Sequence, residues 1–266
     1  VVTFNAMKEF TQAVGQDKIH ITSLIPDGTE PHDFQPTTKT MQALSKADIL
    51  IYNSTGMERW VEQATQAAAN PKLVIVEASK DTDRISLTEA DEIRAHGQYD
   101  PHTWLSLSCA QTEVKNIAEA LAAADKTNAD FYRKNAAEYN QKLQALLAAY
   151  QKKFSKLEQK DFVTGHAAFA YLCRDFGLQQ QSIEDVFASG EPSAQNLAKL
   201  TAYCKEHNVK TIFVEEAVSP KTSETLAREV GAITQEIYTI ESSNGEKTYL
   251  TRMEENLDAI YKSLKK

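Results

Sequence analysis

Between His102 and Thr164 the chain carries neither glycine nor proline, the two residues that most readily interrupt regular structure. Inside that stretch apolar side chains recur at Tyr132, Ala136, Tyr139, Leu143, Leu146, Tyr150, Phe154 and Leu157. Steps of three and four sustained over this length predict one continuous amphipathic helix from Thr127 to about Lys156. At 1.5 Å of rise per residue such a helix extends roughly 45 Å, the breadth of a domain. It needs something to lie against at both ends, so it reads as a spine joining two lobes. The expected division is an N-terminal lobe over 1–126, the linking helix over 127–158 and a C-terminal lobe over 159–266.

The flanking sequence has a different texture. Residues 1–101 hold five of the seven prolines, with short β-branched or apolar runs at Val1–Phe4, Ile19–Leu24, Ile49–Tyr52 and Leu73–Val76. Helical patterns at Met7–Val14 and Met57–Ala68 separate them. After the long helix the alternation resumes. Strands are expected at Phe162–Thr164, Thr211–Val214 and Glu236–Ile240, and helices over His166–Asp175, Ser193–His207, Lys221–Val230 and Tyr249–Leu264. Strands alternating with helices imply βαβ units. The fold class is therefore α/β: two lobes, each a mostly parallel sheet flanked by helices. The acidic stretch Lys80–Gln98 has no clear period and reads as a loop.

Composition narrows the function classes. Lys and Arg total 29 against 37 Asp and Glu, a net charge of −8, which argues against nucleic acid or anionic lipid as the main partner. No run of about 18 apolar residues is present, so no membrane span is expected. Cys109, Cys173 and Cys204 are widely separated and form no Cys-x-x-Cys pair, so a thiolate metal site is not indicated. They read as buried small hydrophobes, with a Cys173–Cys204 bridge open only in an oxidising compartment.

Of six histidines, three share one placement. His32 lies in Gly28-Thr-Glu-Pro-His-Asp-Phe-Gln-Pro36, before Thr37 or Thr38, either of which can cap the next helix; His102 lies in Tyr99-Asp-Pro-His-Thr-Trp104; His166 directly follows Phe162-Val-Thr-Gly165. In open α/β sheets ligands bind beyond the carboxyl ends of strands, so the three imidazoles point to a common rim. One or two would serve proton transfer; three neutral imidazoles suit a borderline divalent ion. His20, His96 and His207 lack the placement. A cation also needs negative charge, for which Glu215, Glu216 and Glu241 stand at expected strand ends. Glu30, Asp33, Glu58 and Asp100 lie near the histidine motifs and could orient imidazoles through their second ring nitrogen.

The segments Gly28–Pro36, Asp100–Leu107, Thr164–Leu178, Glu191–Leu200, Phe213–Gly231 and Tyr249–Leu257 resemble the metal-specific (cluster A-I) solute-binding proteins of ABC importers, in their zinc-type (ZnuA- and AdcA-like) form. The resemblance spans nearly the whole chain and implies an ion held between two lobes. By position it makes His32, His102, His166 and Glu241 the metal ligands, and Glu215 a neighbouring glutamate outside the usual ligand set. Zinc-type members place histidine at the third position and manganese-type members glutamate, which fits the preference of zinc for imidazole and of manganese for oxygen. The implied cargo is Zn2+, with Mn2+ or iron as the alternative. The implied partner is an ABC permease, with a monomeric protein outside the cytoplasm and, in many members, a lipid anchor. The sequence departs from many relatives in having only His96 in the acidic loop before the second ligand, and Leu107 where proline is frequent. A zinc hydrolase using the three histidines with Glu241 as base is the reading from another class. No His-Glu-x-x-His or Gly-x-Ser-x-Gly motif supports it, and no enzyme activity is expected.

Overall fold

The computed structural model describes residues 1–188, 194–216, 219–243, 245 and 247–265. They form two compact units, one of Val1–Ala145 with Ile240–Tyr249, the other of Leu146–Thr239 with Leu250–Lys266.

In the first unit, α1 (Asn5–Gly15), α2 (Thr38–Leu44), β1 (Ile49–Tyr52), α3 (Val61–Ala68), β2 (Val74–Glu77), α4 (Ala90–His96) and α5 (Leu107–Ala124) follow one another. The apolar run Ile49-Leu-Ile-Tyr52 makes β1, parallel to β2 with Ile49 opposite Val74 and Tyr52 opposite Glu77. The expected strands Val1–Phe4 and Ile19–Leu24 shrink to single bridges, Val2 pairing in parallel with Ser23 and with Ile51. The ladder cannot lengthen because α1 already starts at Asn5. That helix buries Ala6, Met7, Phe10, Thr11 and Val14, the three-and-four spacing of one apolar face. Phe10 meets the Tyr249 ring at 4.6 Å, and Phe4 meets Trp104 edge-on at 4.8 Å. Thr37 and Thr40 close a reciprocal capping box on α2, and the Ser106 hydroxyl accepts from Cys109 N to cap α5. The acidic stretch contains α4, which buries no residue; a helix without an apolar face leaves no period to read.

In the second unit, β3 (Asp161–Thr164), α7 (Ala170–Phe176), β4 (Gln179–Ser182), α8 (Ala194–Glu206), β5 (Thr211–Glu215), α9 (Lys221–Val230) and β6 (Ile233–Ile237) build a parallel sheet of order β4-β3-β5-β6. Val163, Ile183, Leu200, Cys204, Val209, Ile212, Leu226 and Ala227 form its buried core. Gly177 and Gly231 end α7 and α9 in the left-handed conformation at φ 63° and 68°, where a side chain would be strained. The expected start of α8 at Ser193 lies outside the described residues. β6 starts and ends three residues earlier than expected: beyond Ile237 the backbone N–H groups of Tyr238 and Thr239 donate to the side chains of Asn256 and Glu216.

The long helix α6 (Ala129–Phe154) has 26 residues. Its Asn135 amide donates to Val14 O in the first unit, and its Tyr150 hydroxyl donates to Asp258 in the second. The closing helix α10 spans Tyr249–Leu264. Cys109, Cys173 and Cys204 are buried and are not joined by a disulfide. No helix among the described residues is long and apolar enough to cross a membrane.

Candidate metal centre

Three of the four expected ligands, His32, His102 and Glu241, belong to the first unit. His102 follows Asp100-Pro101 and is fully buried. One Asp100 oxygen, Oδ1, accepts from both the backbone N and the ring Nδ1 of His102, each at 2.9 Å. A carboxylate can only accept, so in the neutral ring the proton sits on Nδ1 and Nε2 presents a lone pair. His32 sits in a 3-10 turn, Pro31–Asp33, capped by Glu30, whose Oε1 accepts from His32 N at 3.2 Å. The Nε2 atoms of His32 and His102 stand 3.1 Å apart. Two nitrogens bound to one tetrahedral zinc at 2.0–2.1 Å would be separated by roughly 3.3 Å, so the spacing fits a shared ion.

Glu241 comes from the short segment that closes this unit. Its backbone carbonyl accepts from Asn5 N at 3.1 Å. The following Ser242 hydroxyl accepts from Gly28 N at 2.9 Å, and Ser243 N donates to Asp27 at 2.8 Å, tying the Glu241 segment to the His32 loop. Gly28 makes that turn at φ 79°, open to glycine without strain. Ile240, β-branched and buried, holds a left-handed φ of 63° just before Glu241, a conformation that costs about 1–3 kcal/mol and clusters at functional sites. Ligand atoms of His32, His102 and Glu241 lie within 4.8 Å of one another.

His166 belongs to the second unit, just past the carboxyl end of β3. The chain leaves β3 for β4 on one side and later places β5 on the other, so β3 and β5 flank the point where strand order reverses, the favoured ligand position in such sheets. Glu215, the last residue of β5, accepts from His166 N at 3.0 Å through Oε1, which lies 3.6 Å from His166 Nδ1. Gly165 permits this approach: a Cβ there would stand 2.1 Å from Glu215 Oε2. Gln180, in the middle of β4, donates to His166 O at 2.8 Å and accepts from Phe169 N at 2.8 Å. This pins residues 166–169 as a turn and delays α7 to Ala170.

Among the remaining carboxylates, Glu58 is fully buried but reaches no imidazole among the contacts described; it accepts from Thr3 Oγ1, Asn53 N and Ser54 N at 2.6, 3.0 and 3.0 Å. Burial outweighs those bonds and pushes its pKa up to about 7. Glu113, also buried, is pushed up to about 8 by loss of water, against a smaller opposing effect of Thr103. Glu216 accepts from Thr239 N and lies near the buried Arg252. Outside the site, His207 stacks on Tyr203, His96 ends the exposed α4 and His20 is exposed. Sequence reasoning missed Asn53, Thr103 and Gln180, whose amides and hydroxyl fix the histidine-bearing turns. Nothing in their spacing marks them, since their partners lie up to 50 residues away.

A protein of this kind presents preformed imidazole and carboxylate donors on an α/β scaffold, the class of solute-binding proteins for metal ions. The family described as "Zinc-uptake complex component A periplasmic" (ZnuA) matches residues 1–263. The high-affinity zinc uptake system protein ZnuA of Bacillus subtilis is 42% identical over 277 residues, covering 99% of this chain and 86% of that protein. The structure of the Zn(II)-bound ZnuA-like domain of Streptococcus pneumoniae AdcA is 34% identical with a TM-score of 0.84, covering 100% of this chain and 98% of that one. A structure of the laminin-binding adhesin Lmb of Streptococcus agalactiae is 33% identical with a TM-score of 0.92, over 99% and 98% of the two chains. The chain belongs to the ZnuA family.

Proposed function

We propose that this protein captures Zn2+ outside the cytoplasm and delivers it to an ABC permease, holding the ion with His32, His102, His166 and Glu241. The observation that carries this reading is the pair of Nε2 atoms at 3.1 Å, one of them fixed as a lone-pair donor by Asp100, with Glu241 beside them. His166 supplies the fourth donor, backed by Glu215. Three imidazoles and one carboxylate favour zinc over manganese. Four protein donors leave a zinc ion no open position for substrate or water, which suits capture rather than catalysis. The relatives, a zinc uptake protein of Bacillus subtilis and the Zn(II)-bound domain of AdcA, support the same cargo.

The deciding experiment is a zinc titration of chelator-stripped protein, repeated in competition with manganese. About one zinc per chain is expected, displaced poorly by manganese. His166→Ala should weaken binding by more than the roughly 100-fold reached by changes outside the ligand set. No saturable uptake in excess zinc, or an unaltered affinity in the variant, overturns the assignment.

A further inference from the structure

The backbone leaves β1 into a turn at Asn53–Ser54, and that turn is gripped from below. Glu58 accepts from Asn53 N and Ser54 N, and also from Thr3 Oγ1. With its backbone fixed, the Asn53 side chain reaches the segment that carries His102. Its Nδ2 donates to Pro101 O at 2.7 Å, and its Oδ1 accepts from the Thr103 hydroxyl at 3.0 Å. One carboxamide thus holds the residue before His102 and the residue after it. Asn53 and His102 are fully buried and Thr103 is 2% exposed, so water offers no replacement partner and each lost bond leaves a polar atom stranded.

Asp100 determines which ring nitrogen of His102 carries the proton, but a tautomer alone does not place a lone pair. The His102 segment is a single 3-10 turn, Thr103–Leu105, entered through an irregular His102 backbone (φ −81°, ψ 41°); the antiparallel Ser86–Tyr99 bridge, with Asp100 N donating to Ile85 O, stops two residues short of it. We infer that Asn53 is a positioning residue for metal capture: its amide clamps Pro101 and Thr103 and so sets where His102 Nε2 points. The inference rests on His102 being a zinc ligand, as proposed above.

Residue chemistry fixes which replacements discriminate. Asn53→Asp keeps size but turns the donor toward Pro101 O into a second acceptor. Thr103→Val keeps shape and removes the hydroxyl, whereas Thr103→Ser retains it. The test is a Zn2+ titration of the full chain and of these three variants, with the melting temperature of each metal-free protein measured alongside. Asn53→Asp and Thr103→Val should each lose about 10–100-fold in zinc affinity, the range found when a partner of a metal-binding histidine is removed, while Thr103→Ser binds like the parent. If Asn53→Asp does not fold, the Thr103 pair decides alone. A Thr103→Val protein with a lowered melting temperature but parental zinc affinity would reduce the clamp to a structural role and overturn the inference. Failure of the parent itself to bind zinc would instead strike the ligand assignment.

Discussion

The two units fix their histidines by different means. In the second, His166 stands two residues beyond the end of β3, a central strand of a four-stranded parallel ladder over an apolar core. Backbone pairing places it, with Gln180 and Glu215 as refinements. In the first, β1 and β2 are the only strands among the described residues, apart from isolated bridges, and His102 lies in irregular chain. Its place depends on buried side chains: Asp100, Asn53, Thr103 and, beneath them, Glu58. A ladder fixes position through many equivalent bonds, so no single side chain decides the outcome. A polar network concentrates the same task in a few atoms, each costly to strand. Binding should therefore be fragile to small polar changes in the first unit, and stability fragile to loss of apolar volume in the second.

The largest effect expected of this contrast comes from a pair of variants. Ile212→Ala, at a fully buried position of β5, should destabilise the metal-free protein by about 2–5 kcal/mol while leaving zinc affinity close to parental. Asp100→Ala should do the reverse, weakening zinc about 10–100-fold with a smaller loss of stability. Denaturant unfolding and zinc titration on both variants would break the comparison if each change affected the two quantities alike.

A smaller effect sharpens it. Burial raises the Glu113 pKa from its ordinary value to about 8, so between that value and the unfolded carboxylate range the folded protein holds a proton that the unfolded chain has released. Stability from this group is complete below the unfolded pKa and is lost as pH rises through about 8. The melting temperature of the metal-free protein should fall between pH 6 and 9, and fall less in Glu113→Gln, which does not titrate. The residual slope belongs partly to Glu58, shifted in the same direction. Equal slopes in the parent and Glu113→Gln would remove Glu113 from the explanation.

How much of this was legible in the sequence depended on whether the signal was local. The long helix was, because its period and its lack of breakers are carried by consecutive residues. β1, β2, β3 and β5 were legible as apolar runs. β4 was not: Gln179-Gln-Gln-Ser182 has no apolar alternation, and it becomes a strand only because β3 offers it a parallel ladder. Ile19–Leu24 has the composition of a strand but only a one-residue partner in Val2. At the site, His32, His102 and His166 stand out in the sequence by a shared placement before helical signals, and Asp100 by lying two residues from His102, whereas spacing leaves Glu215, Glu216 and Glu241 undecided and only the family resemblance points to Glu241. Glu58 could be singled out as buried chemistry near the motif, yet not its attachment to the Asn53 turn. Asn53, Thr103 and Gln180 act through tertiary contacts that no spacing encodes.

The central claim is a zinc ion bound by three imidazoles and one carboxylate, and zinc K-edge X-ray absorption on the loaded protein tests it most directly. The expected spectrum has four light-atom neighbours at about 2.0–2.2 Å, with the outer-shell scattering of three imidazole rings and no sulfur. A first shell containing sulfur near 2.3 Å, or scattering from fewer than three imidazoles, would contradict it.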